Sequence, residues 1–129
     1  MKHRVLYYMV DGSTEAGQAA LDTIEGGNQI ELVGCAHEPN VCPTAEQLAG
    51  CEGFVGEFGP VDDACADAMA ATGMRIVSNM SIGLNHVAVD RLASHGITVT
   101  NCPGYCSDDV AQHAIALMLD LMRQVTFLN

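Results

Sequence analysis

Apolar positions along this chain fall into two kinds of block. Short runs dense in β-branched and aromatic residues, at 4–10 (RVLYYMV), 30–34 (IELVG), 53–57, 74–79 (MRIVSN) and 97–100 (ITVT), predict five strands, the first ending at the turn signal Asp11-Gly12. Between them the apolar residues recur at helical spacing. Residues 15–25 place Ala16, Ala19, Ala20 and Ile24 together and stop at Gly26-Gly27. Thr44-Ala45-Glu46-Gln47 has the capping-box spacing and opens a short helix. Residues 62–72 carry Ala64, Cys65, Ala68 and Met69 on one side before Gly73, and residues 87–95 give a last short helix before Gly96.

Five strands alternating with four helices predict a parallel sheet with helices on both sides, because parallel strands are joined by right-handed crossovers. The strands are too uniformly apolar to leave a wet face. An α/β fold of flavodoxin-like, doubly wound order follows, in one domain of 129 residues.

A fifth helix, 107–125, has no place in that count. Ser107 suits its N-cap, and Asp108 and Asp109 put negative charge at the positive end of the dipole. At 100° per residue, Gln112, His113, Asp120, Arg123 and Gln124 share about one third of its circumference and apolar residues hold the rest. That is about twice the width one sheet face needs. Six or more large side chains left over, at about 1.5–3 kcal/mol each, demand a second cover. A further copy of the chain, a domain not present, or burial as the central helix of one compact core would each supply it.

Charge narrows the partners. Sixteen acidic against five basic residues give a formal charge of −11, which repels nucleic acid and anionic lipid. The apolar run after Lys2 and Arg4 is too short for a signal peptide, and 114–119 is too short for a membrane span, so a cytoplasmic protein is expected. Cys35, Cys42, Cys51, Cys65, Cys102 and Cys106 form no C-x-x-C pair and read as thiols. His37 beside Cys35 and Cys42, and His113 beside Cys106, keep a zinc site as the alternative.

Residues 74–125 join the loop S-I-G-L-N-H-V to a D-x-L-A-x-x-G-I-x-V-x-N-x-P-G frame and a V-A-x-H-A helix start. This combination resembles the D-isomer-specific 2-hydroxyacid dehydrogenases. The resemblance implies a flavodoxin-like substrate domain over 1–101, a hinge over 102–106, and in 107–129 the first helix of an NAD-binding domain that packs at a dimer interface in relatives. Cys102, Pro103 and Gly104 suit a pivot, since proline restricts its own φ and its neighbour while glycine tolerates nearly any.

By the same resemblance Ser81, Ile82, Gly83 and Leu84 hold the carboxylate of a small 2-hydroxy or 2-oxo acid at the carboxyl edge of the sheet, through the N–H groups of Ile82 and Gly83. A glycine needed only for the turn is the plainer reading of Gly83. Cys106 is implied as a pocket contact or a plain hinge thiol, and Phe58 as another wall. Asn85 is expected to cap the next helix, and His86 to be a packed loop residue.

The arginine, histidine and glutamate of the family's hydride transfer, and its G-x-G-x-x-G cofactor loop, have no counterpart here. The expectation is a substrate-domain fragment or truncated homologue of an NAD-dependent enzyme, with no catalytic residue, cofactor or metal held by this chain alone. The alternative is a stand-alone dimeric module that binds small acids or regulates without catalysis. A metal handler rich in cysteine and methionine is a third.

Overall fold

The computed structural model describes residues 2–57 and 59–128. Five strands, β1 (His3–Met9), β2 (Ile30–Ala36), β3 (Gly53–Gly56), β4 (Ile76–Asn79) and β5 (Thr98–Thr100), form one sheet. All pairings are parallel and the order is β2-β1-β3-β4-β5, the flavodoxin-like arrangement. The helices are α1 (Glu15–Leu21), α2 (Ala45–Leu48), α3 (Asp63–Ala71), α4 (Val89–Ser94), α5 (Ser107–Arg123) and α6 (Val125–Leu128).

Alternation along the strands divides the sheet into two unequal faces. Leu6, Tyr8, Phe54, Val77 and Asn79 point to one side, where they are buried with Leu48 of α2, Cys65, Ala66 and Met69 of α3, and Leu92 of α4. Caps hold those helices in place. The Thr44 hydroxyl accepts from Gln47 N–H at 3.3 Å while the Gln47 side chain accepts from Thr44 N–H at 2.8 Å, and Asp62 accepts from Cys65 N–H at 2.8 Å.

The opposite face is only half covered. α1 lies over β1 and β2, close enough that a Cβ on Gly17 would meet Leu32 and Tyr7. Over β3, β4 and β5 no helix is present among the described residues, and Ile76 is 41% exposed. The sheet therefore has helices on both sides, but it keeps the open patch that its apolar sequence argued against.

α5 departs further from expectation. It buries no residue: Leu121 is 78% exposed, and Val110, Ile115, Leu117, Met118 and Met122 are exposed as well. The expected contact on two sides is contact on neither, and the compact-core alternative is excluded for this conformation. The helix also ends sooner, because Gln124 turns left-handed at φ 53° and Asp120 accepts from Thr126 N–H and Oγ1 at 2.9 and 2.8 Å, starting α6. Ser107 is not the N-cap. Cys106 occupies that position without a side-chain cap, since the turn at Gly104 (φ 76°) delivers Ser107 already inside the helix.

Candidate functional site

The carboxyl edge of the sheet gathers the loops after β1, β3 and β4 and the segment leading to α5. Beside the β1/β3 junction, where strand order reverses, lies a cleft of about 390 Å³ that includes Tyr7, Met9, Asp11, Glu57 and Met80. Ligands of open α/β sheets sit at such reversals. Here Asp11 and Glu57 give the cleft two carboxylates, which oppose an anion.

The loop after β4 is braced from inside by Asn79, 2% exposed. Its side-chain N–H₂ donates to the Ser81 hydroxyl and, at 3.1 Å, to the Gly83 carbonyl, while its Oδ1 lies 3.2 Å from His86 Nε2. Ser81 in turn donates to the Gly83 carbonyl at 2.8 Å. Sequence reasoning passed over Asn79. The one available signal was an amide ending an otherwise apolar strand, where a buried polar side chain must find partners.

A second brace comes from the segment between β5 and α5. The Asn101 side chain donates to the Ile82 carbonyl at 2.8 Å, and Cys102 N–H donates to the Ser81 carbonyl at 3.1 Å. Peptides here are trans, so each N–H points opposite to the carbonyl of its own plane. With the Ser81 and Ile82 carbonyls held toward Asn101 and Cys102, the N–H groups of Ile82 and Gly83 turn away from them together. Among the described residues neither donates to a protein acceptor. Gly83 has no positive φ, and a Cβ built on it would meet nothing within 4 Å. The turn itself does not require glycine, and the main chain there is open to solvent.

The other expected residues divide. Ser81 is buried in the brace, Ile82 and Gly83 are exposed, and Leu84 packs partly against the core. Asn85 does not cap α4; it is exposed, and the N-cap position belongs to Ala88 because the Val61–Val87 bridge delays the helix start. His86 is a half-buried loop residue bound to Asn79. Cys102 and Asn101 reach the loop, whereas Cys106 stands at the start of α5 beside Tyr105, whose phenol it pushes up in pKa. Phe58 lies outside the described residues.

Metal binding has no support from geometry. Among the described residues no three histidine, cysteine or acidic groups are placed to share an ion, and all six cysteines are free thiols. His37 stacks on Tyr8 at 4.3 Å, and its ring nitrogens lie 2.8 Å from the Glu38 carbonyl and 3.2 Å from that of Glu57. Dinucleotide binding is opposed by charge. Each of α1 to α5 carries an acidic residue in its first turn, where a pyrophosphate would have to sit. These described helix starts do not suit a pyrophosphate.

Residues 9–125 match the family described as D-isomer specific 2-hydroxyacid dehydrogenase, catalytic domain. D-lactate dehydrogenase of Streptococcus agalactiae is 26% identical over 103 residues, 79% of this chain and 31% of that one. Glyoxylate/hydroxypyruvate reductase B of Salmonella typhimurium is 30% identical over 105 residues, 81% of this chain and 32% of the relative. Among solved structures, the pyruvate reductase of Chlamydomonas reinhardtii aligns with a TM-score of 0.68 at 23% identity, covering 97% of this chain and 36% of that one. An NAD-complexed D-isomer specific 2-hydroxyacid dehydrogenase from Lactobacillus delbrueckii aligns with a TM-score of 0.60 at 17% identity, over 95% of this chain and 36% of that one. The chain spans about a third of the length of the curated relatives it matches. No described helix is long and apolar enough to cross a membrane.

Proposed function

Because this chain belongs to the D-isomer specific 2-hydroxyacid dehydrogenase family, we propose that it acts as the substrate-binding portion of an NAD-dependent enzyme of that class, holding the carboxylate of a small 2-hydroxy or 2-oxo acid on the N–H groups of Ile82 and Gly83. The observation that carries this reading is the outward turn of those two amides, enforced from behind by Asn101 and Cys102 and from within by Asn79. Two neighbouring outward N–H donors suit the oxygens of a carboxylate, and the open space at Gly83 lets the anion reach the main chain.

In this reading residues 1–101 are the substrate domain, 102–106 the hinge, and 107–129 the first helix of the cofactor domain. Hydride chemistry in such an enzyme would come from NAD. What this chain does is bind and orient. Asp11 and Glu57 flank the neighbouring cleft, and the two main-chain amides are neutral donors. Affinity for a lone acid is then about millimolar or weaker.

Titration of the isotope-labelled chain with glyoxylate and with D-lactate tests the reading by NMR. The Ile82 and Gly83 amide resonances should move first and saturably. Movement elsewhere with these two amides silent would overturn it, as would NAD(H)-dependent turnover of either acid by the chain alone.

The bare apolar surface of α5 supports a second reading, a stand-alone dimeric acid-binding module without catalysis. It predicts a dimer that binds the same acids without NAD.

A further inference from the structure

Three cysteines from three different elements meet around the ring of Tyr8. Cys35 lies on β2 opposite Tyr8 of β1, Cys42 lies in the segment that joins β2 to α2, and Cys65 opens α3. The Tyr8 phenol is raised in pKa by burial and then by the nearby thiols of Cys35, Cys42 and Cys65, and its hydroxyl donates to the Val41 carbonyl at 3.1 Å. Cys65 is 4% exposed; its thiol donates to the Pro43 carbonyl at 3.9 Å and is hydrogen-bonded to the Cys42 side chain. Cys42 is half-buried. Cys35 is engaged elsewhere, because its sulfur accepts from Gln47 Nε2 at 3.0 Å and Gln47 is held in turn by the capping box of α2.

We propose that Cys42 and Cys65 form a redox modification site that reacts with hydrogen peroxide and closes reversibly to a disulfide, fastening the segment 37–44 onto α3. Cys42 meets the oxidant, since its partner is buried. Its thiolate sulfur attacks one peroxide oxygen; the S–O bond forms as the O–O bond breaks, and the departing hydroxide takes up the proton that Cys42 gave and leaves as water. The Cys65 sulfur then attacks the sulfenic sulfur. The S–S bond forms, the S–O bond breaks, and the released hydroxide takes the Cys65 proton to give a second water. Each sulfur loses one electron, peroxide gains two, and a small dithiol returns the pair to thiols by exchange.

Burial divides the two roles. It pushes the Cys65 thiol up to about 12, so Cys65 keeps its proton and ignores external reagents until an electrophilic sulfur stands beside it. Passing from hydrogen-bond contact to a disulfide of about 2.05 Å needs a movement of about 1–2 Å. The segment 37–44 supplies it, since it belongs to no helix or strand. The same segment carries His37, which stacks on Tyr8 at 4.3 Å and places Nε2 3.2 Å from the Glu57 carbonyl, so the fastening reaches the wall of the cleft beside the β1/β3 junction. Nothing in this inference rests on the family reading.

The test treats the reduced full chain with stoichiometric hydrogen peroxide, blocks the remaining thiols with N-ethylmaleimide in denaturant, and maps the digested peptides by mass without reduction. The expected result is a peptide pair joined through Cys42 and Cys65, lighter by two hydrogens than the two thiols and separated again by dithiothreitol. Cys35→Ser should form it as the parent does and Cys42→Ser should not, with circular dichroism showing both variants folded. The closed form should unfold in urea with an equilibrium constant at least tenfold smaller, and dithiothreitol should abolish the difference. Cys42 joined to Cys35, Cys42 carried on to sulfinic acid beside an unmodified Cys65, or Cys102 oxidised while Cys42 and Cys65 stay reduced overturns the proposal. Where Cys42→Ser does not fold, the maps of the parent and of Cys35→Ser decide between these outcomes.

Discussion

The Asn101 side chain donates to the main-chain carbonyl of Ile82 at 2.8 Å, linking the segment before α5 to the loop after β4 across nineteen positions. Orientation of the outward amides depends on that bond. Asn101→Ala should cost about 0.5–1.5 kcal/mol, the ordinary worth of one hydrogen bond, and should speed exchange of the Cys102 amide with solvent. An unchanged exchange rate would show that this segment does not need the tie.

Asn79 is the heavier brace because it is buried and serves Ser81, Gly83 and His86 at once. Asn79→Ala removes one donor to the Ser81 hydroxyl and to the Gly83 carbonyl and the contact to the His86 ring, and a loss of about 1–3 kcal/mol is expected in urea unfolding, together with line broadening across 81–86. Asn79→Asp should retain the His86 contact and lose the donor side.

Gly83 separates structure from ligand. Its position has room for a methyl group and no positive φ, so Gly83→Ala should leave stability within about 0.5 kcal/mol. The same change places a methyl group beside the amide pair, and the glyoxylate response should weaken severalfold. A variant that unfolds, or that binds as before, contradicts the open-access reading.

Acid pH tests the joint between α3 and α4. The Asp67 carboxylate accepts from Arg91 Nε and Nη2 at 2.7 and 2.9 Å and lies 2.6 Å from His95 Nε2, and these donors, Arg91 first, hold its pKa at about 2 rather than 3.8. A carboxyl depressed in the folded state stabilises fully above its unfolded value and stops doing so as pH falls through the folded one. Asp67→Asn should therefore lie below the parent in stability above about pH 4, and the two curves should converge near pH 2. Parallel curves across that window would remove Asp67 from the account.

Thiol reactivity sorts the cysteines. Burial pushes the Cys65 thiol up to about 12 and raises Cys51 as well, while Cys102 is exposed between β5 and α5. Iodoacetamide at neutral pH should label Cys102 within minutes and leave Cys51 and Cys65 untouched until the chain unfolds. Mass mapping of the labelled peptides gives the order.

Sequence alone determined the element rhythm, because strand alternation, helical spacing and caps such as the Thr44–Gln47 box depend on residues a few positions apart. It also marked the loop 81–84 and the surplus apolar arc of α5. Tertiary structure decided what depends on distant partners. Asn79 became a brace only because Ser81, Gly83 and His86 fold around it, and Asn85 and Ser107, good caps by type, were displaced by the Val61–Val87 bridge and the turn at Gly104. The open strip over β3 to β5 was invisible for the same reason: an apolar strand reads as buried on both faces whether or not the chain supplies a second cover, and only the folded backbone shows which helices arrive.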